Sequence, residues 1–464
     1  MPGLLDSLSL GSRAMQTHQK GVAVAGHNLA NVNNTAYARQ RLTISTSTPV
    51  DSAFGPLGNG VDGTAVTQIR NTILDSRIQV ETSARGSLEA QQEALELTES
   101  SLGEPVAGAT GGASGLTKQL AGLFNAFQSA ATTPTSSAER SSLLAKATEL
   151  ASQFQQVDRR LASLSTALDQ SLRDDTAGAN QLVAEIAQLN REIDRTENSG
   201  GNGANDLRDL RQEKLESLAR LVKVETATNE NGGLEISVAG TTLVSGGEVT
   251  DQLETFTADD GSLGIRAQAG GTELNLTGGR LQGTMAARDG ALKQVRTDLN
   301  ATASALISEV NALHREGFDL NGGTGADLFT GTNAADIAVN PDLRANVNRL
   351  QLAGSPDAKG DGAVALRLAQ LAGRSLAELG DRTLGTHYGQ AVANVGEARA
   401  NVESSLADQK LVDEMLLGQR QSISGVSLDE EMADLMKYQN AYAASAKLIA
   451  TIDEMLNDVI NLKR

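Results

Sequence analysis

The sequence predicts a mainly α-helical, multidomain chain with a small antiparallel β domain inserted into it (α+β). Long helical bundle or coiled-coil segments are expected at both termini, and the helical domain between them is split by the insert. Three patterns carry this. Apolar residues recur at heptad spacing near both ends. Further helical stripes fill the middle. Alternating apolar residues among Gly-Gly, Asn-Gly and Asp-Gly pairs are concentrated in residues 222–284.

Leu4, Leu8, Gly11, Met15, His18, Val22, Ala25 and Leu29 follow alternating four- and three-residue steps. That spacing predicts one helix over the first 33 residues, its seam weakest at Gly11 and His18. Asn33-Asn34 ends it, because Asn tolerates the left-handed conformation of a helix stop. Residues 1–60 are thus a terminal helix plus an extended segment, and 61–221 the first part of a helical domain. In that part Ser136 and Glu139 form a capping box after Pro134. Ala147, Leu150, Phe154, Val157, Leu161, Leu164 and Leu168 keep heptad spacing. A second stripe, Leu182, Ile186, Leu189 and Ile193, stops at Asn198-Ser199-Gly200-Gly201, and a helix over 206–221 follows.

In 222–284, Val222, Val224, Thr226, Ile236, Val238, Leu243 and Val244 sit among these turn pairs, a strand-forming set. The window reads as an inserted β domain facing outward on a helical stem. The helical domain resumes over 285–412, with Leu292, Val295, Leu299, Leu306, Val310 and Leu313 on one stripe and Gly-rich loops over 317–363. Residues 413–464 are the C-terminal helical segment. Ser427-Leu428-Asp429-Glu430 is a capping box, and its acids suit the positive end of the dipole. Leu428, Leu435, Tyr442, Ile449 and Leu456 recur every seven residues, with Met432, Ala446 and Ile460 in a second row that Gln439 and Asp453 interrupt. A narrow stripe of this kind on a lone helix needs a partner. The two ends are therefore expected to pack with each other or with neighbours.

Composition narrows the function. A formal net charge of -18 argues against nucleic acid, whose binding rewards basic surfaces, and against an acidic membrane. No run of 18 apolar residues occurs, so no membrane insertion is expected. Met1-Pro2-Gly3-Leu4-Leu5-Asp6 lacks the basic and apolar regions of a cleavable signal. With no Trp, seven Phe and four Tyr, packing must rest on aliphatic side chains. No cofactor or metal is expected: Cys is absent, and His18, His27, His314 and His387 are dispersed. Asp319-Leu320-Asn321-Gly322-Gly323 resembles the start of a calcium loop, but Gly323 and Thr330 replace required ligands, so a turn is expected. Gly111-Gly112-Ala113-Ser114-Gly115 lacks the nucleophile-elbow spacing, and Asp259-Asp260-Gly261 reads as a hairpin turn. Nothing here asks for catalysis, and a non-enzyme is expected.

One resemblance sharpens the reading. Asn28-Leu29-Ala30-Asn31-Val32-Asn33-Asn34-Thr35-Ala36-Tyr37 resembles the N-I-A-N-x-N-T-P-G-Y signature of flagellar rod, hook and hook-associated proteins. It departs at Asn34, Thr35 and Ala36, where Thr-Pro-Gly is usual, and this changes the turn chemistry. Residues 424–433, starting Ser424-Gly425-Val426-Ser427, together with Tyr438-Gln439-Asn440-Ala441-Tyr442 and Ala444 to Lys447, resemble the C-terminal signature of the hook-associated protein 1 (hook-filament junction) family. Asn205-Asp206-Leu207-Arg208-Asp209-Leu210-Arg211 resembles that family's N-D-L-x-D-x-R helix start, and Met285 to Gly322 also looks like it. Members commonly carry a larger outer insert than the small β unit here.

The resemblance implies a secreted structural subunit that leaves the cell uncleaved through the flagellar type III export apparatus. It would self-associate in a ring between hook and filament, next to hook protein and the second junction protein, with an export chaperone at its C-terminal region. The residues expected to carry assembly are Leu4, Leu8, Met15, Val22 and Leu29 on the first helix and Asn28, Asn31 and Tyr37 of its signature. On the last helix they are Leu428, Met432, Leu435, Tyr442, Ile449 and Leu456. Another flagellar axial subunit and a soluble helical signalling scaffold are the competing readings.

Overall fold

The computed structural model describes residues 4–52, 55–103, 115–199, 203–228 and 233–461. Helices account for 66% of the described residues, and the sheets among them are small and antiparallel. Gly111 to Ser114 and Gly200-Gly201 lie outside the described residues.

The chain starts with α1 (Leu4–Ala30) and a tight turn. Strands β1 (Gln40–Thr46), β2 (Val50–Ser52), β3 (Gly55–Leu57) and β4 (Val61–Gln68) then form a long hairpin. β1 pairs with β4 from Gln40 opposite Gln68 to Thr46 opposite Val61, with a bulge at Thr43/Ile44. The first residues of the expected helical domain, 61–68, are therefore strand, and helix begins only at α2 (Thr72–Leu102). Asn71 caps α2 by accepting the Leu74 N–H at 3.2 Å, and Gly103 ends it at φ 64°, where a side chain would be strained.

α3 (Leu116–Thr132) leads into α4 (Ser137–Asn198), whose 62 residues merge the two expected stripes into one helix. It would span about 90 Å at 1.5 Å per residue. Ser136 caps it through the Glu139 N–H. α5 (Asn205–Leu221) turns back along α4. Next come β5 (Glu225–Thr228), β6 (Leu234–Val238), β7 (Thr241–Ser245) and β8 (Glu248–Val249), in one sheet of that order. β9 (Leu253–Thr257) and β10 (Leu263–Ala267) form a separate hairpin. Its turn contains Gly261 at φ 83°, as Asp259-Asp260-Gly261 implied.

The window expected to be β ends early, because α6 (Gly279–Ala287) already occupies 279–284. A π-turn at Arg288–Leu292 continues it into α7 (Lys293–Arg315). The Gly-rich stretch holds a two-residue ladder, β11 (Phe329–Thr330) with β12 (Ala338–Val339), and then α8 (Pro341–Ala345). Asp319 makes a turn, its Oδ1 accepting the Asn321 and Gly323 N–H groups. α9 (Ala363–Gln370), α10 (Leu384–Ser424) and α11 (Leu428–Asn461) complete the chain. The expected division at 412/413 falls inside α10. The real break is Gly425 to Ser427, after which the Ser427 carbonyl accepts the Glu431 N–H. Glu430 does not reach back to close the expected box, because its carboxylate is engaged by Arg39 at 2.6 Å.

Helix α4 threads two apolar cores. Its first half, Leu143 to Leu168, packs with α3, α7, α9 and the start of α10. Its second half, Leu172 to Ala187, shares a core with Leu215 and Leu218 of α5 and with Ile236, Val244 and Ile265 of the strands. The β unit is thus one wall of a core rather than a separate body on a stem. Apolar strand faces are buried only where another element covers them, and here α4 and α5 do so.

Helices α1 and α11 contribute no residue to these apolar clusters. They pack antiparallel on each other: Gly11 meets Ile449, Gly21 meets Tyr438, and Asn28 meets Glu431. The packing row on α1 contains Gly11, Gly21, Ala25 and Asn28, all buried. Gly11 and Ala25 belong to the expected seam, whereas its other members, Leu4, Leu8, Met15, His18, Val22 and Leu29, lie beside this row and are half-buried. Small residues allow closer approach than large ones, so they define the seam. On α11 the buried row is Glu431, Ser445 and Ile452, with half-buried Tyr438 between. Leu435, Ile449 and Leu456 flank it half-buried, while Leu428, Met432 and Tyr442 face solvent.

Candidate functional site: the joint between the terminal helices and the body

The turn after α1 is built by Asn34. Its Oδ1 accepts the Ala36 N–H at 3.1 Å, and its carbonyl accepts the Tyr37 N–H. This Asx turn supplies the bend that Thr-Pro-Gly makes in the related signature. It delivers Tyr37 back under α1, where its ring stands edge-on to His27 with centroids 5.6 Å apart.

At the centre lies Asn28, 1% exposed. Its Nδ2 donates to the Gln40 carbonyl (2.8 Å) and to Glu431 Oε2 (3.0 Å). Its Oδ1 accepts from the Tyr37 hydroxyl (2.7 Å) and the Gln40 N–H (2.9 Å). Both donors and both acceptor directions of the amide are filled, which fixes its orientation. Arg39 closes the other side. Its guanidinium reaches Glu430 and Glu431 at 2.6 Å each, and its N–H donates to the Ser424 carbonyl at the end of α10.

The first turns of α5 hold this knot from below. Asp206 accepts from Gln40 Nε2 (2.7 Å) and bonds His27 Nε2 (3.0 Å). Asn205 Nδ2 donates to the Val66 carbonyl of β4, and its own carbonyl accepts from Gln68. Asp209 Oδ1 accepts from Arg70 (2.5 Å) and from the Ala38 N–H (3.3 Å). Burial pushes the Asp209 carboxyl up to about 6, against the downward pull of the Arg70 guanidinium. Burial and the neighbouring Asp209 charge likewise raise the Tyr37 hydroxyl above its ordinary value. From Arg70 an ionic chain runs through Asp75 to Arg420 and Glu216, tying in α2 and α10.

Chemically this is a clamp. It joins four distant stretches through one connected network of polar contacts. Among the described residues no group of three His, Asp or Glu is placed to hold a metal ion. Of the sequence-derived site residues, the structure brings Asn28 and Tyr37 together. Asn31 stands at the rim, its Nδ2 on the His27 carbonyl (3.1 Å). Sequence reasoning did not assign Arg39, Arg70, Asp206, Asp209 or Glu431 to the site. Four of the five lie in or beside the motif strings that carry the family resemblance, and that was the available signal. Arg70 had none.

Those strings match known proteins. A model of the flagellar hook-associated protein FlgK helical domain matches residues 108–329. A model of the flagellar basal body rod FlgEFG protein C-terminal region matches 418–462. The class is therefore that of flagellar axial proteins. Flagellar hook-associated protein 1 of Bacillus subtilis (strain 168) is 26% identical, over 98% of this chain and 97% of its own length. That of Escherichia coli (strain K12) is 24% identical over 100% of both. The structure of the flagellar hook junction protein FlgK from Burkholderia pseudomallei superposes with a TM-score of 0.66 at 16% identity, covering 75% of this chain and all of that one. Together these matches support the resemblance to flagellar hook-associated protein 1 along nearly the whole chain.

Proposed function

We propose that this protein is a non-enzymatic structural subunit joining hook to filament in the bacterial flagellum. The observation that carries this is the joint: three of the four motif stretches that resemble the family meet at one clamp around Asn28. The clamp fixes where the α1–α11 pair projects, and a subunit that links two tubes needs that fixed relation. Leu435, Ile449 and Leu456 on α11, with Leu4, Leu8, Met15, Val22 and Leu29 on α1, line or flank the pair. Leu428, Met432 and Tyr442 stay outward for neighbouring subunits. Those neighbours are other copies in a ring, hook protein and the second junction protein. The C-terminal region is also where an export chaperone binds before assembly, and the final location is extracellular.

The test is deletion of the chain in its own bacterium, with sheared flagella and electron microscopy of the hook tip. Hooks without filaments, restored by the intact chain and with the chain recovered in sheared flagella, are expected. Normal filaments without the chain would refute the proposal.

A further inference from the structure

Helix α5 carries opposite charges on opposite sides. On one side Asp206, Asp209 and Glu213, with Leu210 and Tyr37, line a cavity of about 210 Å³. That is smaller than the ~300–1,000 Å³ of a ligand site and suits one inserted side chain. No Lys or Arg lines it. Asp209 is 5% exposed, and while its Oδ1 is engaged by Arg70 and Ala38, its Oδ2 has no hydrogen-bond partner. A buried carboxylate oxygen left without a donor is costly, and a cationic N–H is the donor it lacks. Leu210, 40% exposed, and the Tyr37 ring give an apolar wall for the methylene stem of a long basic side chain.

On the other side of α5, Arg208 and Arg211 line a larger groove together with Arg70. At 3.6 residues per turn, Arg208 points about 130° away from the mean direction of the three acidic residues. Its partner within the chain is Glu197 at 2.7 Å, in a half-exposed pair. Pairs of that kind contribute only ~0–1 kcal/mol, so Arg208 can exchange partners at little cost.

We propose that copies of this chain pair head to tail through these two faces, with Arg208 of one copy entering the Asp206–Asp209–Glu213 cavity of the next. This rests on the self-association proposed above and names its contact. Opposite faces of one helix make the contact heterologous, the type that closes into rings. A guanidinium fork can bridge two carboxylates at once, which an ammonium does less well.

The chain has no cysteine, so cross-linking is clean. Arg208→Cys and Glu213→Cys stand on opposite sides of one helix and cannot join within a chain. In cells lacking the native gene, flagella carrying the double-cysteine chain should give a ladder of disulfide-linked oligomers on oxidation. Each single-cysteine chain should give none. In parallel, Arg208→Glu should cut incorporation at the hook tip at least tenfold, and adding Glu213→Arg should restore it. Arg208→Ala, which introduces no new repulsion with Glu197, should show an intermediate loss at an unchanged melting temperature.

No ladder from flagella that do contain the chain, or normal incorporation of Arg208→Glu, overturns the pairing and leaves the flagellar role standing. Loss of incorporation by Glu213→Arg alone, with no ladder, assigns the cavity to another protein's basic side chain and also overturns it. Absence of even the unsubstituted chain from flagella removes both.

Discussion

Two glycines on α1 make a controlled pair for measuring how the terminal helices pack. A Cβ on Gly21 would lie 2.6–2.8 Å from three ring atoms of Tyr438, whereas a Cβ on Gly26 meets nothing within 4 Å. Both sit in the same helix, so Gly→Ala gives each the same intrinsic gain of about 1 kcal/mol. At Gly26 that gain should appear in full. At Gly21 the Tyr438 ring must move by several tenths of an ångström or the helices must separate, and overpacking of this sort costs about 1–3 kcal/mol. The propensity terms cancel in the comparison, so Gly21→Ala should be about 1–3 kcal/mol less stable than Gly26→Ala. The readout is hydrogen exchange of α11 amides between Glu431 and Ile452, which report opening of the pair. Their protection should differ by about 5- to 150-fold between the variants. Equal protection in the two variants would mean that α11 is not seated on the Gly21 face. Amides with no protection in either would mean that the pair forms only on assembly.

Further outcomes follow from the same contacts. Asn28→Ala leaves the Tyr37 hydroxyl, the Gln40 backbone and Glu431 without partners, so it should cost at least about 2 kcal/mol by urea unfolding. Asn31→Ala, at the rim, should cost under about 0.5 kcal/mol, and equal losses would count against the clamp. His314 is fully buried, with Nδ1 on the Ala326 carbonyl and Nε2 accepting the Gln351 N–H, and burial lowers it to about 4. Its folded value lies below the ordinary 6.5, so its contribution is complete above pH 6.5 and is lost as pH falls towards 4. That is about 3 kcal/mol over the window, and His314→Gln should flatten the pH profile of urea midpoints there. Asp209 has the opposite sign: its raised value favours the fold below about pH 4 and disfavours it as pH rises through 6. Asp209→Asn should therefore remove a loss of joint protection across pH 4–6, read by exchange at Tyr37 and Ala38. Replacing 223–278 by a short Gly/Ser bridge should strip Val183, Ile186, Leu215 and Leu218 of their cover. Helicity by circular dichroism should then fall by more than the deleted strands explain, and full retention would show that α4 and α5 hold without them.

By itself the sequence determined the helical character of the chain, because apolar residues at helical spacing must find a covered face. It also determined the two long terminal helices, the Ser136 cap, the Asp319 turn and the β insert with its Gly261 turn, which are local consequences of side-chain chemistry within a few residues. It carried the family resemblance at four separate places. Only the tertiary structure decided which row of α1 meets α11. Glycine adds nothing to a hydrophobic pattern, yet it allows the closest approach, so Gly11 looked like a weak point and Gly21 gave no signal, and both are in the seam. The β unit's place in the α4–α5 core was likewise hidden, since a strand pattern shows that one face needs cover but not what supplies it. The joint was the least legible part. Asn28 and Glu431 are 403 residues apart, and Ala38 and Asp209 are 171 apart. A hydrogen bond between such residues leaves no periodic trace along the chain, because what selects it is the need to satisfy buried polar atoms once the folded elements have met.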